Sequence, residues 1–201
     1  IRIEDREYSD LESALGSIKN DNDQELVIDL KGNILEGQFI IDKPNVTVRN
    51  GAFVNDLGAY EILEDGLKRG TFRTYTLFID ADHVKLDHVS VYNKSDPGSG
   101  QAIALMSDGD HLEATGCIIS SYQDTLFLAP LPENEFEERG FIGPLADRPR
   151  LHRRSHFRKC RADCLLGGCV RISGLCVGAN CRLILPLRAN SLTDFAIPVS
   201  L

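Results

Sequence analysis

Two short polar motifs follow apolar, strand-like runs and carry residue types that suit attack on a carbonyl carbon. The first contains Gln101, near the start of the run Gly100–Leu105, and the second is the pair Gln123–Asp124. A glutamine offers two N–H donors, and an aspartic acid offers a carboxyl that exchanges protons. Together they could stabilise the charge that develops on oxygen when a carbonyl group is attacked. Gln–Asp pairs are also common in solvated turns, so this pair identifies no reaction without its surroundings.

The elements that must position these motifs form a repeat of short runs in which apolar and polar residues alternate. Two copies align residue for residue, and the aligned apolar pairs are Val84–Leu112, Leu86–Ala114, Val89–Cys117 and Val91–Ile119. Strands that recur once per coil are typical of a β-solenoid, in which like side chains stack into inner ladders. A β-sandwich would need hairpin turns, and the Asn-Gly hairpin signal occurs once, at Asn50–Gly51. The pattern therefore predicts stacked coils from about Glu25 to Ile119.

A short amphipathic helix is predicted ahead of the repeat, over residues 9–19. Ser9 and Glu12 have the spacing of a capping box, which makes Ser9 the expected N-cap. The apolar positions of one helical face follow at Leu11, Ala14, Leu15 and Ile18. Such a helix could cover the open first edge of the stack, although an ordinary surface helix would show the same pattern.

The motifs together resemble the pectin methylesterases, and in particular their bacterial branch. The resemblance extends from about Ser9 to Asp147, and the runs that carry it are Gly70–Thr76, Gly100–Leu105, Tyr122–Phe127 and Gly140–Pro144, with the insertion Gly58–Arg73. This family has an all-β fold, a right-handed parallel β-helix. The resemblance therefore implies that fold for this chain, with the short helix capping its N-terminal end.

The resemblance also implies a reaction and a set of residues. Pectin methylesterases remove methanol from the C6 methyl esters of homogalacturonan with two aspartates and two glutamines, and without a metal or other cofactor. Asp124 matches the aspartate that protonates methanol and then activates water. Gln123 matches the oxyanion donor, while Gln101 and Thr71 match positions that touch the substrate or the oxyanion.

The nucleophilic aspartate is less clearly matched. In the family an Arg, an aromatic residue and a Cys precede it, and Arg154, Phe157 and Cys160 have that spacing. The aspartate is expected seven residues after the cysteine, but Asp163 comes three residues after Cys160. Asp163 is the candidate nucleophile, and an aspartate without a catalytic role is the equally open alternative. A later family motif with Arg and Trp has no match, since the chain contains no tryptophan.

Composition divides the chain at about residue 147. The 201 residues suit one domain, and the net charge of −8 argues against a nucleic-acid partner. Up to Asp147 there are 12 Lys and Arg against 28 Asp and Glu, a net −16; from Arg148 onward there are 10 against 2, a net +8. Five of the six cysteines fall in this last part. We therefore separate residues 1–147, a pectinesterase-like β-helix, from 148–201, a basic, cysteine-rich continuation of the same domain.

The continuation favours a specific hypothesis, namely that residues after about Cys160 are off-frame or remodelled and pack loosely. Its cysteines are Cys160, Cys164, Cys169, Cys176 and Cys181, without an intervening histidine or paired ligand units, so a zinc site is only weakly indicated. Disulfides would require an oxidising compartment. Neither a secretory signal nor a membrane span is recognisable, and the sequence favours neither a secreted nor a cytoplasmic location.

The leading hypothesis is a pectinesterase that acts on methyl-esterified pectin through an aspartyl acyl-enzyme, as a monomer, and is impaired if the C-terminal part is truncated. The alternative is a galacturonan-binding β-helix without catalytic activity. A polysaccharide lyase on a similar solenoid is the third hypothesis, and it would want a calcium cluster and a basic proton acceptor near Asp124. Neither is evident in the sequence.

Overall fold

Short parallel strands stacked coil upon coil make up most of the computed structural model. The structure describes residues 1–132, 141, 149–164, 170–172 and 195–197. The strands before and in the first two coils are β1 (Arg2–Ile3), β2 (Arg6–Glu7), β3 (Leu26–Asp29), β4 (Ile34–Glu36), β5 (Phe39–Ile41), β6 (Val46–Asn55) and β7 (Leu77–Ile79). The third and fourth coils contain β8 (Lys85–Asn93), β9 (Leu105–Ser107), β10 (Leu112–Thr115), β11 (Ile118–Ser121) and β12 (Leu126–Leu128). Then follow β13 (Ser155–Arg158), β14 (Arg161–Cys164), β15 (Val170–Ile172) and β16 (Phe195–Ile197).

Two sheets run along the stack. One has the order β16-β13-β10-β8-β6-β3-β1-β2, with β4, β11 and β14 paired beside this path, and the other has the order β15-β12-β9-β7-β5. Every coil-to-coil pair from β3 to β15 is parallel among the described strands, whereas β1, β2 and β16 pair antiparallel at the two ends. This arrangement is a parallel β-helix, and the predicted fold class is confirmed.

The core consists of ladders of apolar side chains, one residue from each coil. One ladder is in register through five coils and contains Ile28, Val48, Leu86, Ala114 and Phe157. Each of these side chains is at most 1% exposed, and burial of an aliphatic or aromatic side chain contributes about 1.5–3 kcal/mol. The predicted alignment of Leu86 with Ala114 and of Val91 with Ile119 is confirmed by the strand register.

Left-handed backbone conformations repeat at the corners of the coils. Asn45, His83 and His111 have φ values of 58°, 57° and 59°. Their spacing equals that of Val48, Leu86 and Ala114 in the core ladder, and the rings of His83 and His111 stack with centroids 4.7 Å apart. Asparagine and histidine are among the non-glycine residues that tolerate this conformation best. These histidines therefore have a structural role as corner residues.

The N-terminal helix is shorter than the predicted range of residues 9–19, and its N-cap lies one residue later than predicted. Helix α1 spans Leu11–Gly16, and its N-cap is Asp10, whose Oδ1 accepts a hydrogen bond from Ser13 N at 2.7 Å. Ser9, the expected cap, instead donates its hydroxyl to Asp10 Oδ2 at 2.6 Å. Aspartate and serine are equally good N-caps, so local hydrogen bonding decided between these neighbours. The apolar face of the helix packs into the main core cluster.

The stack continues beyond the expected end at Ile119. Strand β13 pairs with β10, and β14 pairs with β11, so the coil that begins near residue 155 is in register with the coil before it. Phe157 and Cys160 are buried in the core. Regular pairing therefore persists at least to Cys164, past the predicted break at Cys160.

In the part of the chain that is described, no helix is long and apolar enough to cross a membrane.

Candidate active site

The segment before β9 carries Gln101. It follows Gly100, whose φ of 86° favours glycine, and Gln101 itself is partly buried. The side-chain oxygen Oε1 is inaccessible to solvent and has no hydrogen-bond partner among the described residues. The next residue, Ala102, donates its backbone N–H to Gln123 O at 3.0 Å. The residue that follows the first candidate glutamine is thus hydrogen-bonded to the backbone of the second.

Gln123, Asp124 and Thr125 form the turn between β11 and β12. Asp124 has φ 59° and is only 2% exposed. The N–H groups of Ala104 and Leu105 both donate to Thr125 O at 3.1 Å. The turn is therefore fixed to the preceding coil on both sides of Asp124. A buried carboxyl in a left-handed conformation is costly, and such residues cluster at functional sites.

Thr71 reaches the same region from the second coil. It begins a 3₁₀ turn, Thr71–Arg73, and is buried. Thr71 O accepts a hydrogen bond from Thr74 Oγ1 at 2.7 Å, and that hydroxyl oxygen accepts one from Ile103 N at 2.9 Å. Since Ile103 lies two residues after Gln101, three coils bring Thr71, Gln101 and Gln123–Asp124 to one place.

Two buried asparagines that the sequence analysis missed hold these segments. Asn93 donates through Nδ2 to Leu57 O and Thr74 O, both at 2.9 Å. It lies in register with Asn55, which donates to Tyr75 O at 3.0 Å. Both asparagines satisfy carbonyl groups in loops that must leave the regular ladder to form the site. A sequence signal existed, because Asn55 and Asn93 have the same spacing as the core residues Val48 and Leu86.

A second apolar cluster lies on the outer face of the sheet that contains β7, β9 and β12. Phe78, Met106 and Phe127 are in register there, and Phe72 packs edge-on against Phe127 with centroids 5.0 Å apart. The cluster was not predicted either. Phe72 follows Thr71 and Phe127 lies three residues after Asp124, so the cluster includes residues of both segments that carry these candidates. Burial also raises the pKa of Tyr75, which packs against the cluster.

Asp163 lies on the next coil but not in the position equivalent to Asp124. In β14 it pairs with Ser120, and Asp124 is four residues beyond Ser120. The position equivalent to Asp124 on the fifth coil follows from the next strand pair, in which Leu126 pairs with Val170. Asp124 lies two residues before Leu126, and Gly168 lies two residues before Val170. Gly168 is therefore the equivalent position, and it lies outside the described residues. The backbone of Asp163 nevertheless borders the site, because its carbonyl accepts a hydrogen bond from Thr125 Oγ1 at 2.8 Å.

The Asp163 carboxylate has a different partner, the guanidinium of Arg161. The distance from Asp163 Oδ2 to Arg161 Nε is 2.8 Å, and the Asp163 side chain is 25% exposed. Hydrogen bonding to this carboxylate raises the pKa of Arg161. The structure thus brings together the segments that carry Thr71, Gln101, Gln123 and Asp124, and it places Asp163 on the neighbouring coil with its carboxylate engaged by Arg161.

Two of the described cysteines, Cys117 and Cys160, belong to the protein core. Cys117 and Cys160 are both buried, and Cys160 Sγ donates to Ala114 O at 3.4 Å. A hydrogen bond with Cys117 lowers the pKa of Cys160 to about 7, and the same contact raises that of Cys117. Within the described residues, no group of three or more His, Cys, Asp or Glu side chains is arranged to hold a metal ion. Cys169, Cys176 and Cys181 lie outside the described residues.

The fold and the site together define a class of protein: a parallel β-helix with a Gln-Asp turn on its fourth coil. The sequence model of the pectinesterase family matches residues 3–132. This chain therefore belongs to the pectinesterase family. The match contains every candidate site residue except Asp163.

Individual relatives agree with this assignment. The chain is 27% identical over 129 residues to the probable pectinesterase/pectinesterase inhibitor 23 of Arabidopsis thaliana, covering 61% of this chain and 22% of that protein. It is 25% identical over 123 residues to the probable pectinesterase/pectinesterase inhibitor 12 of the same plant, covering 60% of this chain and 22% of that protein. The chain thus spans only about a fifth of the length of these relatives.

Solved structures share the fold at lower identity. The pectin methylesterase from Yersinia enterocolitica superposes with a TM-score of 0.61 at 18% identity, over 82% of this chain and 52% of that chain. Pectin methylesterase PemA from Erwinia chrysanthemi gives 0.56 at 20% identity, over 62% and 42%. A pectin methylesterase in complex with a hexasaccharide gives 0.55 at 21% identity, over 60% and 41%. At these identities the likeness establishes the fold.

Proposed function

We propose that this chain acts on methyl-esterified homogalacturonan as a pectin methylesterase, cleaving C6 methyl esters to carboxylate and methanol. The observation that carries the proposal is the Gln123–Asp124 turn. It holds a carboxyl that is 2% exposed, beside the Gln101 segment and within the part of the chain matched to the family. A nearly buried carboxyl beside amide donors suits proton transfer to a leaving alkoxide at an ester carbonyl.

The proposed reaction has two steps. In the first, a carboxylate attacks the ester carbonyl, the carbonyl–methoxy bond breaks, and methoxide leaves as methanol with the proton of Asp124. In the second, Asp124 takes a proton from water, the hydroxide attacks the acyl-enzyme anhydride, and the nucleophilic carboxylate is released. Gln123 donates N–H groups to the oxyanion in both steps, and Gln101 and Thr71 hold the substrate. No redox change occurs, so carboxyl and amide groups suffice.

Asp163 is the proposed nucleophile. Two features support it: Asp163 lies on the coil that follows Asp124, and its backbone carbonyl bonds to the side chain of Thr125, the neighbour of Asp124. For this role the Asp163 carboxylate must exchange its contact with Arg161 for one with the ester carbon. Since that ion pair is partly exposed, solvent screens it, and breaking it costs little.

A second function is favoured by the register of the fifth coil. Asp163 pairs with Ser120, four residues short of Asp124, and its carboxylate is engaged by Arg161. A chain without a correctly placed nucleophile would bind galacturonan at the candidate site without cleaving it. This is the binding alternative that the sequence already left open.

Methanol release from highly esterified pectin, measured alongside binding of the same polymer, tests the proposal. The esterase proposal predicts methanol in proportion to newly exposed carboxylate. Binding without methanol would establish the alternative. If the folded chain neither binds nor cleaves the polymer, both functions are wrong.

A further inference from the structure

Thr125, the residue after Asp124, has a buried hydroxyl that joins the fourth coil to the fifth. Its Oγ1 donates to Asp163 O at 2.8 Å, and its side chain is 0% exposed. Because a hydroxyl has one proton and Thr125 gives its proton to Asp163, Ser121 is the donor in the 2.9 Å contact between the two hydroxyls. Ser121 Oγ also lies 3.1 Å from Gln123 O. These contacts connect the Gln-Asp turn to the strand that carries Asp163.

Thr76 makes the same contact two coils earlier. Its Oγ1 donates to Tyr92 O at 3.0 Å, and its side chain is also 0% exposed. Thr76 and Thr125 hold equivalent positions, because each comes directly before a strand residue that pairs with Leu105. The two acceptors are equivalent as well, since Tyr92 and Asp163 pair with the same residue of β11. The chain therefore contains two copies of one threonine contact.

The coil between these two copies has an alanine, Ala104, at the equivalent position. Ala104 is 0% exposed, and its N–H donates to Thr125 O at 3.1 Å within regularly paired strands. Stacking of the coils therefore does not require a hydroxyl at this position. Thr76 has a structural reason for one, because Asn55 Oδ1 is buried and accepts a hydrogen bond from Thr76 Oγ1 at 2.8 Å. Thr125 lies instead between Asp124 and the strand of the candidate nucleophile.

We propose that Thr125 is a positioning residue for the esterase reaction. Its hydroxyl, supported by Ser121, sets the distance between the Gln123–Asp124 turn and the backbone of Asp163. This inference rests on the proposed function, in which Asp163 attacks the ester carbonyl and Asp124 protonates methanol. Because two carboxyls on different coils must reach one ester group, a small shift between the coils slows the reaction. Thr125 acts through the backbone and does not itself contact the ester.

The test compares Thr125→Val with Thr76→Val, the matched control. Valine has nearly the shape of threonine without the hydroxyl, so each variant removes one of the two equivalent contacts. Steady-state methanol release from esterified pectin should show kcat lower by about tenfold to 10²-fold in Thr125→Val, with little change in KM. Thr76→Val should leave kcat unchanged. It should lower the thermal unfolding midpoint at least as much as Thr125→Val, because it also removes the partner of Asn55 Oδ1.

Two further variants separate the hydroxyl from the rest of the side chain. Thr125→Ser keeps the hydroxyl and should restore most of kcat. Ser121→Ala removes the donor to Thr125 Oγ1 and leaves the bond from Thr125 to Asp163 O. It should lower kcat by a smaller factor than Thr125→Val. If Thr125→Val does not fold, Ser121→Ala decides, because an unchanged kcat in that variant would overturn the proposal.

Other results would also overturn the positioning role. Equal losses of kcat in Thr125→Val and Thr76→Val would make the Thr125 hydroxyl a structural group only, while methanol release by the wild type still supported the esterase. A raised KM with unchanged kcat in Thr125→Val would do the same, as would a loss in Thr125→Ser equal to that in Thr125→Val. A folded wild-type chain that releases no methanol would overturn the positioning role and the proposed function together.

Discussion

Asp124 and Asp163 occupy neighbouring coils but opposite environments. Asp124 is 2% exposed, in a left-handed turn that backbone hydrogen bonds fix to the preceding coil. Asp163 is in the regular strand β14, a quarter exposed, with its carboxylate paired to Arg161. Two residues of one type, one coil apart, thus differ in strain, burial and partner. Burial and backbone conformation, more than residue type, distinguish a carboxyl suited to proton transfer from one in a surface ion pair.

The largest effect is expected from Asp124→Asn. The amide cannot protonate methanol, so the rate of methanol release should fall by about 10² to 10⁴. Asparagine tolerates the left-handed conformation at least as well as aspartate, so the thermal unfolding midpoint should stay close to that of the wild type. Methanol release and unfolding are measured on the same preparation. A folded variant that keeps its activity would remove Asp124 from the reaction.

Asp163→Asn tests whether the second aspartate belongs to the same machinery. As the nucleophile, Asp163 cannot be replaced by an amide, and methanol release should fall by about the same factor of 10² to 10⁴. Arg161→Met is the matched variant, because it breaks the ion pair and keeps the carboxylate; it should retain activity. If Asp163→Asn is fully active while Asp124→Asn is not, Asp163 has no part in the attack.

Gln123→Ala tests whether Gln123 donates a hydrogen bond to the oxyanion beside Asp124. Loss of one oxyanion donor costs about 3 kcal/mol in the transition state, which is a decrease of about 10² in kcat. KM should change little, because the oxyanion forms only during reaction. Steady-state kinetics on esterified pectin separate the two parameters. A raised KM with unchanged kcat would make Gln123 a ground-state binding residue instead.

Asn93→Ala should loosen the well-fixed region that holds Gln101. Its amide donates to Leu57 O and Thr74 O; the variant would remove the donor of Leu57 O and leave Thr74 O with only the longer bond from Asn55 Nδ2 at 3.3 Å. The expected loss is about 1–3 kcal/mol in the free energy of unfolding. Denaturant unfolding measures it, with Asn33→Ala as the control because Asn33 is exposed. Equal losses of unfolding free energy in the two variants would show that Asn93 contributes no more to stability than an exposed asparagine.

The smallest effect is expected where the fifth coil attaches to the fourth. Asp110 Oδ1 accepts a hydrogen bond from Arg154 N at 2.7 Å, and the Arg154 guanidinium holds the pKa of Asp110 well below its usual range. Asp110→Asn should cost at most about 1 kcal/mol, since Arg154 is largely exposed. A lowered pKa stabilises the fold above the unfolded-state value near 4, and this stabilisation is lost as the pH falls.

Unfolding midpoints of wild type and Asp110→Asn should therefore differ at pH 7 and converge below about pH 4. A difference that is independent of pH would mean that packing, not charge, joins the two coils. The Asp110 variant should leave methanol release unchanged at pH 7, which separates attachment of the coil from chemistry.

The sequence by itself determined the repeat and the residues of the Gln-Asp turn. Apolar alternation and equal spacing align Leu86 with Ala114 because stacked coils require like side chains above one another, and this register is present in the structure. The resemblance of the motifs indicated the family, and the match over residues 3–132 agrees with it. The roles of Thr71, Gln101, Gln123 and Asp124 remain predictions, although the structure brings their segments together.

Other features were decided only by the tertiary structure. The choice of Asp10 over Ser9 as the helix cap and the hydrogen bonds of Asn93 depend on groups that meet across loops. The position of Asp163 depends on strand register, because side chains alternate between the two faces of a strand and a shift in length moves a residue to a different neighbour. Sequence spacing could show that Asp163 comes early. Only the structure shows that Asp163 pairs with Ser120 where β14 lies beside β11, and that its carboxylate forms an ion pair with Arg161.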